Sequence, residues 1–156
     1  MNAAYLLMGS NIDPVQNTRQ ALALLRARVR IVEMSNAWET PSFGSPGPNY
    51  INLAIHIETD CDAKELKTDV IRDIERNLGR VRTADKNAPR TIDIDLIIFN
   101  DELLVNAIWV HPHIMLPMAE LIPDLRRPQD GIKLCEISQS TQHSTLAVRR
   151  ADLDFR

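Results

Sequence analysis

The segment Arg90-Thr91-Ile92-Asp93-Ile94-Asp95-Leu96-Ile97-Ile98-Phe99 constrains this chain more than any other. β-Branched and apolar residues dominate it and Pro89 precedes it, so it reads as a β-strand. Side chains alternate along a strand, which puts Asp93 and Asp95 on one face and Ile92, Ile94 and Leu96 on the other. Burying two unpaired carboxylates side by side is costly, so the strand belongs in a sheet whose acidic face stays open. A divalent cation relieves the repulsion, and Mg²⁺ is typically held by one or two carboxylates plus phosphate oxygens. The upstream loop from Gly79 to Arg90 holds four cations, Arg80, Arg82, Lys86 and Arg90, against one anion, Asp85. An arginine fork is always charged and contacts two phosphate oxygens at once, so loop and acidic pair together point to a polyphosphate.

The elements around this strand follow from hydrophobic spacing. Ala3 to Met8 reads as a buried strand, stopped by Gly9-Ser10-Asn11. Asp13 is the expected N-cap of a first helix, with Pro14 at its first position and Leu22, Leu25 and Val29 at helical spacing. Ile31 to Trp38 reads as a second strand, residues 40–48 as a Pro/Gly/Ser-rich loop, and Tyr50 to Glu58 as a third strand. Asp62 caps a second helix that carries Leu66, Val70, Ile74 and Leu78 on one face and ends near Gly79. With the acidic strand the order is β-α-β-β-α-β. This is an α+β, ferredoxin-like arrangement: one antiparallel sheet, helices on one face, the other face free for a site. Asp101 to Val105 suggests a short edge strand and Met115 to Ile122 a short helix. The stretch from about Arg126 onward is polar and poorly patterned, and is expected to be only partly ordered. Residues 1–156 are long enough for one domain with a real core and read as a single domain.

Charge narrows the function. Eighteen Lys+Arg against 21 Asp+Glu give a net −3, which argues against nucleic-acid binding, so the basic loop is a local site. Cys61 and Cys135 match no metal spacing and read as reduced thiols. The N-terminus lacks a basic leader and an apolar core region, and no run approaches a membrane span, so the expectation is a cytoplasmic protein with no membrane partner. No nucleophile–base set is present, and Gly9-Ser10-Asn11 lacks the Lys and second Gly of a P-loop, which leaves direct transfer to a substrate hydroxyl. Nothing in the sequence sets an oligomeric state.

Two further groups stand out. Thr40-Pro41, Phe43, Tyr50 and Asn52 form a cluster in which Tyr50 and Asn52 share one strand face. An Asn amide suits a heterocycle's edge, and Phe43 or Tyr50 suits its ring, although an aromatic core residue beside a turn fits the same pattern. His111-Pro112-His113 reads either as half of a metal site lacking a third ligand or as solvated histidines.

Taken in order, Gly9-Ser10-Asn11, Thr40-Pro41, Tyr50-Ile51-Asn52, Glu75 with Gly79-Arg80-Val81-Arg82, and Pro89-Arg90-Thr91-Ile92-Asp93-Ile94-Asp95 resemble the 6-hydroxymethyl-7,8-dihydropterin pyrophosphokinases of folate biosynthesis. The resemblance runs from about residue 3 to residue 125. It implies the ferredoxin-like fold and transfer of pyrophosphate from ATP to the pterin hydroxymethyl group, with release of AMP. It further implies two Mg²⁺ ions on Asp93 and Asp95, catalytic arginines at Arg80 and Arg90, and nucleotide contacts from Glu75, Arg82 and a histidine, which is His111 if the His-Pro pair sets the register and His113 under the other register. Thr40, Pro41, Phe43, Tyr50 and Asn52 fall to the pterin. The chain departs from the family after His111: a short stretch that supplies an arginine near ATP and an aromatic over the pterin is missing. Asn87 stands where the family often has Trp, and Asn106, Ala107 and Ile108 stand where a basic residue is usual. The alternative function is therefore a divergent paralogue that binds another pterin or nucleotide with weak or no turnover. An RNA-recognition module on the same fold fits poorly, since the strands lack interleaved aromatics.

Overall fold

β1 (Asn2–Ser10) is the axis of the sheet, pairing antiparallel with β4 (Tyr50–Thr59) on one side and β5 (Asp93–Phe99) on the other. In the computed structural model, which describes residues 1–44 and 46–156, all strand pairs are antiparallel. Ser45, in the loop expected at 40–48, lies outside the described residues. β2 (Arg30–Met34) and β3 (Trp38–Thr40) pair in turn along β4, and β6 (Glu102–Leu103) edges β5. The ferredoxin-like order expected from the sequence is the order found.

One face of the sheet carries Leu6, Met8, Leu53, Ile55, Ile57, Ile94 and Leu96, all buried. α1 (Pro14–Arg26) covers it with Ala21, Leu22 and Leu25. Beside α1, α2 (Ala63–Glu65), a π-helical stretch (Leu66–Ile71) and α3 (Arg72–Asn77) run on as one helix, which contributes Leu66, Val70, Ile71 and Ile74. Asp62 caps this helix as expected, accepting from the Lys64 and Glu65 amides while Glu65 reaches back to the Asp62 amide.

Four expectations change. The strand expected at Ile31–Trp38 is two strands. Between them the Ser35 hydroxyl accepts from Ala54 N at 2.9 Å and Glu120 accepts from Asn36 N at 2.7 Å, so side chains replace ladder bonds and the backbone can break. Asp13 does precede α1, but at φ 41° with no side-chain cap. The acidic strand starts at Asp93 rather than Arg90, and a bulge near its far end turns Ile97 and Ile98 to the same face.

The fourth change is the largest. The chain after residue 126 is ordered and completes the fold: α5 (Leu134–Gln142) packs on α4 (Pro112–Leu121), β7 (Val148–Arg149) pairs with β3, and Phe155 is buried in the first core. The helices α4 and α5 cover one end of the second sheet face over Leu7, Ala54, Ile97 and Ile98. That face is thus free only at its other end, where Gly9, Asn52 and Asp93 lie in register across three strands.

Candidate functional site

The uncovered end of the sheet is a polar floor built by register. Gly9 of β1 lies opposite Asn52 of β4 and Asp93 of β5, and Leu7 in the next row lies opposite Asp95. Thr40, at the end of β3, receives a hydrogen bond from Asn52 Nδ2 at 2.8 Å, so two buried polar side chains satisfy each other at this edge. The Gly9-Ser10-Asn11 turn fastens the loop that leads into β5. Ser10 Oγ donates to Thr91 O at 2.6 Å, Asn11 N to Arg90 O at 3.2 Å, and Asn11 Oδ1 accepts from Arg90 N at 2.7 Å. These residues position Arg90 and the acidic pair, a role that becomes legible only when β1 and β5 are seen side by side.

Two cavities open on this floor. The first, of about 140 Å³, is lined by Thr40, Pro41, Phe43, Tyr50 and Asn52, together with Gly9, Lys86 and His113. The second, of about 350 Å³, is lined by Glu75, Arg80 and Arg82, together with Lys67, Arg72 and Val105. Arg90, Asp93 and Asp95 line both. The acidic pair is therefore the partition between a mostly neutral pocket and a strongly cationic one.

Electrostatics set the state of each group. Arg80 and Arg90 both bond Asp93, and Arg80 Nη1 also donates to Glu75 Oε1 at 3.0 Å and Ile92 O at 3.2 Å. Burial works against the Arg80 cation, but its hydrogen bond to Asp93 and the charges of Asp93, Glu75 and Asp95 raise its pKa. Arg80 Nε is buried without a partner among the described residues. Asp95 has no ion-pair partner among the described residues. The protein packed around it, then the charges of Asp93 and Glu75, push its carboxyl up to about 6. Glu75 is itself buried; besides Arg80 it accepts from Ile94 N at 3.0 Å and Arg82 Nη2 at 3.2 Å.

These residues fit Mg²⁺. The pair offers hard carboxylate oxygens, and the Asp95 carboxylate has no cation paired with it among the described residues. No group of three or more His, Cys, Asp or Glu side chains gathers as a metal cage among the described residues. A seat with so few protein ligands is one that substrate phosphates complete.

The candidate residues fall into two groups around the acidic pair. The Thr40, Pro41, Phe43, Tyr50 and Asn52 set meets in the first cavity; Glu75, Arg80 and Arg82 meet in the second. His113 lines the first cavity, and His111 packs against Phe43 with ring centroids 5.0 Å apart. Burial, then the neighbouring His111, pull the His113 imidazole down to about 4. The direct run from His111 into α4 holds both histidines at the start of that helix.

Lys67 and Arg72 carry no signal of a site in the residue pattern. Five residues apart, they fall on different faces of an α-helix, but the π-helical stretch bonds residues five apart and turns both toward the second cavity.

The family described as 7,8-dihydro-6-hydroxymethylpterin-pyrophosphokinase (HPPK) matches residues 5–123. Relatives named 2-amino-4-hydroxy-6-hydroxymethyldihydropteridine pyrophosphokinase include one from Bacillus subtilis, 33% identical over 152 residues covering 85% of this chain and 90% of the relative. Another, from Synechocystis, is 31% identical over 147 residues covering 87% of this chain and 74% of the relative. Among solved structures, Plasmodium falciparum HPPK-DHPS with pteroate superposes at a TM-score of 0.68 with 13% identity, over 90% of this chain and 42% of that one. The same protein with SDX-DHP gives 0.65 over 90% and 44%. This chain spans under half the length of those chains, and at such identities the likeness concerns the fold alone.

Proposed function

This chain belongs to the 7,8-dihydro-6-hydroxymethylpterin-pyrophosphokinase family, and we propose that it carries out the family's reaction across the partition between its two cavities. It transfers pyrophosphate from ATP to the hydroxymethyl group of 6-hydroxymethyl-7,8-dihydropterin and releases AMP. The observation that carries the assignment of roles is that the two cavities share Arg90, Asp93 and Asp95 and no other lining residue among those described. A transfer between two substrates needs such a common wall, because the reacting atoms must meet there.

The cationic cavity takes the nucleotide. Arg80, Arg82 and Arg90 spread positive charge along the polyphosphate. Lys67 and Arg72 stand in for the arginine that the shortened segment after His111 leaves out. The neutral cavity takes the pterin: Asn52 and Thr40 face its heterocyclic edge, and Phe43 and Tyr50 offer ring surface. Asp93 and Asp95 hold Mg²⁺, and we assign two ions to them. Bound there, the metal would supply charge neutralisation to the phosphates. The protein's own share is positioning: it holds the hydroxymethyl oxygen against the β-phosphorus and fixes the arginines around it.

The reading extends to the whole molecule. Residues 1–156 act as one domain, supported by the return of β7 and Phe155 to the sheet. The protein works in the cytoplasm, in keeping with the free thiols Cys61 and Cys135. Among the described residues no helix is long and apolar enough to cross a membrane.

Incubation with Mg²⁺, ATP and 6-hydroxymethyl-7,8-dihydropterin is expected to yield AMP and pyrophosphorylated pterin in equal amounts, read by chromatography. AMP at background level with nucleotide binding intact by calorimetry would reject turnover in favour of a binding-only paralogue. Gly9→Ala tests the neutral cavity. A Cβ at Gly9 lies 2.9 Å from Asn52 Oδ1, and Asn52 is buried and bonded to Thr40, so it has nowhere to retreat. The expected result is a rise in KM for the pterin of roughly tenfold, from about 1–3 kcal/mol of overpacking, with KM for ATP unchanged. An unchanged pterin KM would remove Asn52 from the pterin site.

A further inference from the structure

We infer that His113, braced by His111 and Phe43, forms an aromatic wall of the pterin pocket, so that the His-Pro-His segment serves pterin selection and not the nucleotide. The inference rests on the reading of the first cavity as the pterin side. Three rings make a continuous row: Phe43 meets His111 edge-on at 5.0 Å and 63°, and His111 meets His113 nearly parallel at 5.5 Å and 26°. The outer members, Phe43 and His113, line the cavity, and His111 ties them together.

The members come from different parts of the chain, Phe43 from the loop after β3 and the histidines from the start of α4. Phe43 is 65% exposed, an unusual state for a large apolar ring on a soluble domain and one that a flat ligand would relieve. Tyr50 adds a ring from β4; its Cδ1 lies 3.7 Å from the position a Cβ on Gly9 would take. A flat heterocycle lowered onto the polar floor thus meets aromatic surface from both the loop and α4.

The chemistry of His113 also separates the two sides. Crowded by protein and by His111, its imidazole is neutral at physiological pH and offers a polyphosphate no cation. A neutral ring is suited to stacking. The cationic cavity, by contrast, is lined by arginines and Lys67, and His113 is not among its lining residues.

The test measures each ligand separately on the full chain. With Mg²⁺ and a non-hydrolysable ATP analogue present, 6-hydroxymethylpterin is titrated by its fluorescence; the analogue itself is titrated by calorimetry. His113→Ala and Phe43→Ala are expected to weaken pterin binding roughly ten- to a hundredfold, the range for removing an aromatic platform beneath a heterocycle. The analogue's Kd stays unchanged, and His113→Phe restores most of the pterin affinity. A His113→Ala protein that binds pterin like the parent, or that loses the analogue instead, overturns the inference. If His113→Ala fails to fold, His113→Phe and Phe43→Ala decide: a phenylalanine that abolishes pterin binding, or a Phe43→Ala that leaves it intact, overturns it equally. A parent chain that binds the analogue but no pterin defeats the assignment of the first cavity, and the inference with it.

Discussion

Asp95→Asn is expected to lower turnover by at least about a thousandfold, equivalent to roughly 4 kcal/mol of lost transition-state stabilisation, while leaving the fold intact. Asparagine keeps the shape and one oxygen but removes the charge that makes Asp95 a metal ligand. Metal-free Asp95 is raised to about 6, so the native state holds its proton more tightly than the unfolded chain does. Its ionisation therefore costs metal-free stability as pH rises from about 4 to about 6. The Asn variant has no such loss, and above pH 6 its metal-free thermal midpoint should equal or exceed that of the parent. Adding Mg²⁺ and ATP should reverse the order, because the parent gains the linkage stabilisation that the variant lacks. Turnover assays and melting curves with and without Mg-ATP check both halves. Near-parental turnover would remove Asp95 from the metal seat.

This opposition between stability and activity is what made the acidic strand conspicuous in the sequence. Alternation placed Asp93 and Asp95 on one face and Ile92, Ile94 and Leu96 on the other, and these positions are as the pattern required; only the bulge breaks it, at Ile98. The helix from Asp62 to Leu78 was legible for the same reason, a capping box followed by apolar residues at helical spacing. What stayed hidden depends on contacts between distant segments. Ser35 and Glu120 interrupt a strand whose local pattern runs on, and only the approach of α4 explains it. Leu134, Leu153 and Phe155 are too sparse to register as a pattern, although they fasten the end of the chain to both faces of the sheet. The π-helical stretch that turns Lys67 and Arg72 inward leaves no mark in the residue types. That His113 lines the first cavity was hidden as well, because sequence order cannot say on which side of the acidic pair a helix start will fall.

Glu75 carries the second large effect, through a role different from the one its place beside the nucleotide implied. Both its oxygens are engaged by protein: Oε1 by Arg80 Nη1 and Ile94 N, and Oε2 by Arg82 Nη2. The Arg82 bond is worth little, since that side chain is 69% exposed. The Arg80 pair is different, with side chains only 9% and 5% exposed. Glu75→Ala strands part of a buried guanidinium charge and orphans the amide that begins the acidic strand, so destabilisation of about 3 kcal/mol is expected, the lower end for breaking a buried pair. For a chain of this length that lowers the thermal midpoint by roughly 6–12 °C. Turnover should fall as well, because Arg80 and Asp93 lose the strut that aligns them. Glu75→Gln keeps an acceptor for Ile94 N and should be the milder variant on both measures. A nucleotide ligand would behave otherwise: Glu75→Ala would raise the KM for ATP with the melting temperature unchanged, and that result would return Glu75 to the nucleotide. Loss of stability together with kcat, scaled from Gln to Ala, identifies it as the strut that joins α3 to the arginine loop and β5.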